Sequence, residues 1–443
     1  MEAFLQELKR SLGSNDDLFE MQYVFLGQVV TLLGYTTLTD ISMTVSSLQQ
    51  QEHNARGSRV GEEAFWHTIG SVHPLSVRLA VSAVLDGQVV LLIEGRTAMI
   101  VVDAVQRELT RAIEAPSNES VLQGPIGSFN EDLDTNLGLL RKQACTDSMR
   151  VLNYSAGVAQ RKRLSLIYDA RHADADMVGK MIAQIEANLD REIATTQTLS
   201  RMLGFTKWQA ISKFNTTELP QEAVSAMTKG KVVILVDRLP IAYVLPNLLW
   251  DMFALENDRN YTVPIMIIIR TIRVIGVLLT LLAPAFYVAL VAVNPEVLRI
   301  EMALSVAVSR EGVPYPAIVE MLLMLVILEL IIEASARLPK SIGPTLTMVG
   351  GIIIGQAVVT ARLVSNMLII ILAATTIANS TVVGFQNSLS IRMFKYVTVI
   401  LAAMFGVLGI MAGMVLLCSY LASLHTFGVS YINLSFKGEI KHG

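Results

Sequence analysis

The chain has 443 residues, of which 52% are hydrophobic and only 16% are charged, and its mean hydropathy is +0.51. Soluble globular domains contain closer to a quarter charged residues, so this composition excludes a disordered chain, a collagen-like fibre and a disulfide-rich secreted scaffold. The charge is unevenly distributed, because residues 1–264 have a net charge of −7 whereas residues 265–443 have a net charge of +4 and contain no aspartate. We therefore expect a water-soluble half followed by a membrane half.

An internal repeat predicts two related α/β units in the first half. Residues 80–102 and 223–245 are identical at 9 of 23 positions without a gap. Each copy has the pattern of a short helix, a glycine turn and two apolar strands, and a strand that runs into a helix precedes each of them. An ancient duplication explains this pattern, and chance similarity between two apolar hairpins is the alternative.

The composition also predicts the domain boundaries. Proline, glycine, serine and asparagine are concentrated between the two units, as is typical of a linker. The predicted domains are, in chain order, a first cytoplasmic α/β unit (1–115), a linker (116–129), a second cytoplasmic α/β unit (130–262), a transmembrane helical domain (263–426) and a short tail (427–443).

The sequence contains no recognisable catalytic or metal-binding motif. Phosphate-binding, dinucleotide-binding, zinc-protease and serine-hydrolase patterns are all missing from it. The two cysteines, Cys145 and Cys418, lie one in each half without metal or redox spacing, and the six histidines are scattered. No polybasic segment indicates nucleic acid. We expect a protein that is not an enzyme, with no cofactor, no metal and no nucleic-acid partner.

About five apolar segments predict an all-α polytopic membrane domain in the second half. Residues 274–293 are 20 consecutive uncharged residues, which as a helix measure about 30 Å, the thickness of a bilayer core. Arg270 and Arg273 precede this run and should reach the interface on the side of the α/β half. Because the first residues lack the pattern of a signal peptide, we expect that side to be cytoplasmic. The other predicted segments are 315–336, 342–361, 363–383 and 396–424, with an interfacial helix at 296–312.

Several polar residues fall inside these apolar segments. A carboxylate at mid-bilayer costs at least ~2.5 kcal/mol on insertion scales, so it normally faces protein or water. Glu333 can pair with Arg337 one turn later, which favours an interfacial pair. Residues that lack such a partner would face the axis of an oligomer, with helix–helix hydrogen bonding as the alternative for the neutral ones. The candidate pore or intramembrane polar residues are Glu320, Glu329, Gln356 and Asn379.

Two glycine pairs with the GxxxG spacing predict close helix packing. They are Gly351 with Gly355, and Gly409 with Gly413. Small residues at this spacing let two helix backbones approach each other in a membrane.

The segments SREGVPYP (309–316) and ARLPKSIGPTLTMVGGIIIGQAVV (336–359) resemble the A subunit of the GerA family of spore germination proteins. The similarity extends to TNLGLLRK (135–142), NSLSIRMFKY (387–396) and SLHTFGVSY (423–431). The motif residues that carry the resemblance or lie at the interface are Arg270, Arg273, Arg310, Glu311, Gly312, Pro314, Pro316, Arg337, Pro339 and Gly343. Where the family usually has Pro-Arg-Glu-Gly-Phe, this chain has Pro-Ile-Gly-Ser-Phe at 125–129, which indicates a divergent member.

The resemblance implies a germinant receptor in the inner membrane of a bacterial spore. In such receptors a transporter-like B subunit binds the nutrient, a C subunit is a lipoprotein, and the A subunits form a homo-oligomer around a cation channel. Membrane lipids are a further implied partner. A SpoVAF-like channel that amplifies germination and a non-conducting scaffold are the alternatives.

Overall fold

The computed structural model describes residues 2–57, 61–105, 127–338 and 343–433. Most of the predicted linker, most of the predicted tail and the motif residue Pro339 lie outside these ranges.

The first α/β unit is a five-stranded antiparallel sheet with helices on both faces. Its strands lie in the order β1-β2-β4-β5-β3. The elements are α1 (Glu2–Leu12), β1 (Leu18–Phe25), β2 (Gln28–Tyr35), α2 (Ile41–Gly57), α3 (Glu62–Ile69), β3 (Ser71–Pro74), α4 (Val77–Leu85), β4 (Val89–Ile93) and β5 (Ala98–Val102).

The second unit repeats this architecture strand for strand. Its sheet has the order β6-β7-β9-β10-β8, which is the same permutation as in the first unit. The elements are α5 (Leu133–Ala144), β6 (Met149–Ala156), β7 (Lys162–Asp169), α6 (Ala175–Glu186), α7 (Thr196–Met202), β8 (Asn215–Thr217), α8 (Pro220–Thr228), β9 (Val232–Val236) and β10 (Ala242–Leu245).

Burial on both sheet faces explains the unbroken apolar strands of the repeat. All residues of β4 and β9 are buried, because α2 and α3 cover one face of the first sheet and α1 and α4 cover the other. In the second sheet α6 and α7 cover one face and α5 and α8 the other. A strand packed on both faces needs apolar side chains at every position rather than at alternate ones.

A buried ion pair joins the two units. The Arg141 guanidinium donates to both carboxylate oxygens of Asp17, over 2.5 and 2.6 Å, and both side chains are buried. The guanidinium also lies 3.6 Å from the centroid of the Tyr35 ring. Arg141 belongs to the TNLGLLRK motif, so this motif fastens the second unit to the first.

The second half is a bundle of helices. By length and composition two of them, Val263–Val293 and Gln386–Ser423, could cross a membrane, and five separate spans are not established. The helices are α9 (Val263–Val288, continued by a π turn at Ala289–Val293), α10 (Ile300–Ser309), α11 (Ala317–Arg337), α12 (Gly343–Thr360), α13 (Asn366–Asn379) and α14 (Phe385–Ser423).

The last apolar segment is a helical hairpin, so the prediction of one span over 396–424 is wrong. Gly406 interrupts α14 with φ +61° and ψ −136°. The Phe394 and Tyr420 rings lie 5.6 Å apart, although 26 residues of straight helix would separate them by about 39 Å. The tip of the hairpin packs on Asn294, whose side-chain oxygen accepts a hydrogen bond from the Val407 N–H.

The helical half therefore has two ends. We call the end beside Arg273, next to the second unit, the near end, and the end beside Asn294 the far end. Helix α13 runs back along α9, since Thr280 Oγ1 donates to the Thr375 carbonyl and Gly276 faces Ala378. Both legs of α14 start or finish at the near end.

The chain then returns to the second unit. A short hairpin, β11 (His425–Thr426) and β12 (Val429–Ser430), follows α14. The Phe427 ring lies 5.5 Å from the Phe205 ring, and the Leu249 N–H donates to the Tyr431 carbonyl. The SLHTFGVSY motif thus places the end of the described chain on the same side as the second α/β unit.

Candidate functional site

A buried polar cluster joins α9, α11 and α13 toward the far end. Glu320 is 0% exposed, and its Oε1 accepts a 2.6 Å hydrogen bond from the Ser365 N–H. Arg310 Nε lies 3.4 Å from its other carboxylate oxygen. Tyr287 Oη lies 3.5 Å from Glu320 Oε1 and 2.9 Å from Ser365 Oγ.

Local structure explains why a carboxylate is stable there. Ser365 is the N-cap of α13, and its Oγ accepts from the Leu368 N–H. The unpaired N–H groups and the positive dipole at a helix N-terminus favour a negative charge. Together with Arg310 they compensate the charge of Glu320. The cluster therefore holds helices together from within a single protomer.

The SREGVPYP motif forms the corner that presents Arg310 to this cluster. Gly312 has φ +85°, and a Cβ there would collide with the Arg362 side chain. Pro316 is the N-cap residue of α11. Glu311 and Pro314 are exposed on the outside of the corner.

A second ionic contact lies toward the near end. Arg392 Nη1 donates to Glu329 Oε1 over 2.7 Å, and the Arg392 side chain is buried. Glu333 and Arg337 form the predicted i, i+4 pair, and both are exposed. Arg392 belongs to the NSLSIRMFKY motif, which accordingly fixes α11 against the first leg of α14.

Three of the four candidate pore residues have partners inside the chain, whereas the sequence predicted a pore role for residues without an internal partner and gave helix–helix hydrogen bonding as the alternative for the neutral ones. Glu320 and Glu329 are paired as described, and Asn379 donates to Ser388 Oγ over 2.8 Å. The buried Asn379 Oδ1 accepts no hydrogen bond from the described residues. Gln356 is exposed on α12. Of the four candidates, Gln356 is the one to which the reasoning about polar residues without an internal partner still applies. A pore lined by any of the four residues stays a prediction.

The two glycine pairs differ in their surroundings. A Cβ at Gly409 would collide with the Leu401 carbonyl and one at Gly413 would crowd Thr398, so this pair packs the two legs of α14 together. Around Gly351 and Gly355 no described atom outside the local helix backbone lies within 4 Å of a Cβ position. The first pair thus serves an intrachain contact, whereas the second lies on an uncovered helix surface.

The arginines before the first span, which were predicted to reach the interface on the side of the α/β half, bind residues of that half. Arg273 makes two hydrogen bonds to Asp258, of 2.5 and 2.9 Å, and a third to the Phe253 carbonyl. Arg270 Nε lies 3.8 Å from the same carboxylate. Nothing in the sequence indicated Asp258, because it lies in a 3-10 helix of five residues (Glu256–Asn260), too short to show a periodic pattern.

Further charges surround this junction. Lys229 Nζ lies 3.0 Å from Glu256, and Lys231 Nζ lies 2.5 Å from Asp251. Burial, reinforced by the Glu256 carboxylate, raises the pKa of Glu222. The pKa of Glu256 is lowered, because Lys229 and Ser225 outweigh the opposite effect of burial. Within the described ranges no group of three His, Cys, Asp or Glu side chains could hold a metal ion.

Comparison with known proteins identifies the family. The Bacillus/Clostridium GerA spore germination protein family matches residues 6–442. The chain belongs to the GerA family. This membership confirms the resemblance seen in the SREGVPYP and neighbouring motifs.

Individual GerA relatives align over nearly the whole chain. Spore germination protein GerLA of Bacillus cereus is 29% identical over 437 residues, covering 96% of this chain and 88% of GerLA. Spore germination proteins B1 and A1 of Bacillus subtilis are 29% and 28% identical, covering 97% and 95% of this chain and 90% and 88% of their own lengths. These three relatives are named as germination proteins rather than as enzymes.

One solved structure is similar to part of this GerA chain. It is the N-terminal domain of the A subunit of the Bacillus megaterium spore germinant receptor GerK3, with 17% identity and a TM-score of 0.40. The match covers 55% of this chain and 94% of that domain. A TM-score of 0.40 is too low to support an argument about the fold.

Proposed function

We propose that this GerA protein is the A-type membrane subunit of a spore germinant receptor, and that several copies surround a cation channel. The channel would open when a transporter-like partner subunit binds a nutrient, with a lipoprotein as the third component. The family membership and the names of the relatives support the receptor role. The uncovered surface of α12 is the observation that supports assembly.

Helix α12 has the surface chemistry of a helix–helix contact. Gly351 and Gly355 form a small-residue strip with open space above it. Exposed Met348, Ile352 and Ile353 border this strip. In a membrane such a strip gains packing energy only when another helix backbone lies against it. A second copy of α12 would supply that helix and would bring Gln356 close to the contact.

The arrangement of helices supports the proposed topology. We place α9, α11, α12, α13 and the two legs of α14 across the spore inner membrane, with the α/β units on the core side. Between Arg273 and Asn294 lie 20 residues, or about 30 Å of helix, which matches a bilayer core. An even number of passes agrees with the return of residues 425–431 to the second unit.

Gating would be a shift between two arrangements of the helices. Moving a closed–open equilibrium from 1:99 to 99:1 needs about 5.5 kcal/mol of differential binding. In an oligomer this free energy is divided among the copies, so each partner contact can be modest.

A non-conducting scaffold is the second candidate. The internal partners of Glu320, Glu329 and Asn379 favour it, since these side chains are engaged in holding one protomer together. Under this alternative the α/β units dock partners and the polar residues join helices.

Potassium release from spores that lack this protein tests the function. The spores are challenged separately with nutrients and with a nutrient-independent trigger. A loss confined to one nutrient class supports the receptor subunit. Slower release with every trigger indicates a SpoVAF-like amplifier, and unchanged release in spores whose wild type contains the protein contradicts a channel role.

The assembly is tested by Gly351→Leu, with Gly350→Leu as the matched control. At both positions a Cβ has no atom of a neighbouring described element within 4 Å, so we expect both variants to fold, and both carry the same change in helix propensity. We expect Gly351→Leu to reduce the oligomer on a native gel and Gly350→Leu to retain it. An equal oligomer in both variants contradicts the proposed contact.

A further inference from the structure

A loop of the second α/β unit lies at the near end of the helical bundle. This loop, residues 204–213, connects α7 to β8, and we call it the junction loop. The Ala210 N–H donates to Tyr420 Oη over 3.1 Å, and Ser390 Oγ donates to the Ala210 carbonyl over 2.7 Å. The loop is therefore attached to both legs of α14.

The depth of the junction loop corresponds to a membrane interface. Tyr420 and Ser390 lie 14 and 16 residues from Gly406 at the hairpin tip, or about 21 and 24 Å along the helix. On α9, Leu281 accepts from Thr398, so that Ser390 lies at about the level of Arg273. With α9 spanning a bilayer from Arg273 to Asn294, as proposed above, this level is where hydrocarbon changes to headgroups.

The junction loop exposes an unusual side chain at that level. Trp208 is 97% exposed, which is rare for the largest apolar side chain of a folded protein. Trp250, in a 3-10 helix that follows β10, is 44% exposed, whereas Trp66 in the first unit is buried. Tryptophan is enriched at membrane interfaces because its ring is apolar and its N–H is polar.

Cations surround a cleft beside Trp208. The cleft has a volume of about 100 Å³, and Arg201, Lys207 and Lys213 contribute to its lining together with Gln209 and Ser212. Among the described residues, no carboxylate lies within 4 Å of these three cationic groups. The buried Arg201 Nε has no hydrogen-bond partner there. Three cations without acidic partners form a site suited to an anion.

We infer that the junction loop is a lipid-binding element, which inserts Trp208 among the headgroups and binds the phosphate of an anionic phospholipid in this cleft. The membrane leaflet is the source of the phosphate, because the loop that lines the cleft is hydrogen-bonded to both α14 legs and because the exposed indole would otherwise contact water. Burial lowers the pKa of Lys213, and a neighbouring phosphate would counteract that effect. The inference depends on the helices spanning a membrane and not on receptor or channel activity.

Fluorescence of the full-length protein tests this inference. The protein is purified in a neutral detergent and titrated with mixed micelles that contain phosphatidylglycerol or phosphatidylcholine, and separately with inorganic phosphate. Subtracting the emission of Trp208→Phe isolates the Trp208 signal. We expect phosphatidylglycerol to shift this emission to shorter wavelength at a lower fraction than phosphatidylcholine does, and inorganic phosphate to produce no shift.

Charge variants assign the anion to the cleft. Each of Lys207→Gln and Lys213→Gln should raise the half-saturating fraction of phosphatidylglycerol about fivefold, since one basic residue near an anionic surface contributes about that factor in affinity. Arg78→Gln and Lys142→Gln remove exposed cations elsewhere and should leave it unchanged.

Three outcomes would overturn the inference. An unshifted Trp208 emission in phosphatidylglycerol shows that the loop does not enter the interface. Equal responses to the two lipids exclude a role for the lipid charge, and an equal response to inorganic phosphate identifies a free anion rather than a lipid. Trp208, Lys207, Arg78 and Lys142 are exposed and Lys213 is partly buried, and an unchanged elution volume confirms that each variant is folded.

Discussion

The two α/β units share one strand order but have different neighbours. In the first unit β2 ends at Tyr35, whose ring packs against Arg141 of the second unit. At the equivalent end of β7 the second unit has Asp169, which binds His172 and the Arg171 N–H. The second unit additionally holds the helical half through Asp258 and Ala210. The two units thus share one scaffold, and different surface residues give each unit a different attachment.

The largest expected loss of stability comes from breaking the ion pair between the two α/β units. Asp17→Ala leaves the Arg141 guanidinium buried without a counter-charge, and we expect it to destabilise the protein by about 3–5 kcal/mol. Thermal unfolding of the full chain in detergent measures the loss. The double variant Asp17→Leu with Arg141→Met removes both charges, so it should recover most of the stability; an equal loss in both variants would show that charge is not the cause.

Weakening the contact between the second unit and the helical bundle should destabilise the protein less. Asp258→Asn removes the charge that faces Arg273, and we expect a loss of about 2 kcal/mol, typical of a charged hydrogen bond. Hydrogen exchange should accelerate at the start of α9 and remain unchanged in β1–β5. Asp86→Asn, an exposed carboxylate in the first unit, is the control. Faster exchange in the first unit would contradict the separate attachment of the two units.

Acid should lower the stability of the second unit through Asp169. The first unit should not respond in this way, because Tyr35 occupies the equivalent position and has no carboxylate. Burial alone would raise the pKa of Asp169, but hydrogen bonds from Ser148, the Arg171 N–H and His172 outweigh it and lower the pKa. A lowered folded-state pKa stabilises the fold above the unfolded value, near 4, and this stabilisation is lost as the pH falls further.

Hydrogen exchange of β7 and α6 at decreasing pH measures this dependence, after correction for the intrinsic exchange rate. Asp169→Asn should reduce the pH dependence of exchange in these two elements. Asp176→Asn, whose carboxylate is exposed on α6, should retain it. A wild-type dependence that persists in Asp169→Asn would assign the effect to another group.

The smallest changes in stability should come from removing exposed ion pairs, and these changes should be similar in the two units. Glu20 pairs with Lys9 in the first unit and Asp176 with Lys180 in the second. We expect Glu20→Gln and Asp176→Asn each to change stability by about 0.5 kcal/mol or less, because solvent screens exposed charges. A loss comparable to that of Asp258→Asn at either position would require a contact beyond the ion pair.

Much of the α/β half was accessible from sequence. The repeat at 80–102 and 223–245 predicted α4-β4-β5 and α8-β9-β10, because strands buried on both faces leave continuous apolar runs. The motif around 309–316 indicated the family, which the match over residues 6–442 confirmed. The Glu333–Arg337 pair was also predictable, since its partners are neighbours on one helix face.

The candidate site was less accessible. Glu320 stands out in an apolar segment, but its partners Arg310 and Ser365 come from other segments, the second of them 45 residues away. Arg392 meets Glu329 across 63 residues. Nothing in local spacing distinguishes such a paired carboxylate from one that faces a pore. The sequence therefore identified the four candidate residues but did not indicate which of them are paired within the chain.

The sequence by itself determined the composition of each half, the repeated order of strands and helices, and the family, because these depend on local periodicity and on motifs of a few residues. The tertiary structure alone decided that residues 396–424 belong to a hairpin, since a uniformly apolar run does not indicate that its chain reverses at Gly406. It also decided which charges pair, as with Asp17 and Arg141, which are 124 residues apart. Pairing at such distances depends on how whole elements pack, because the cost of burying a charge is offset only where folding brings its partner into contact.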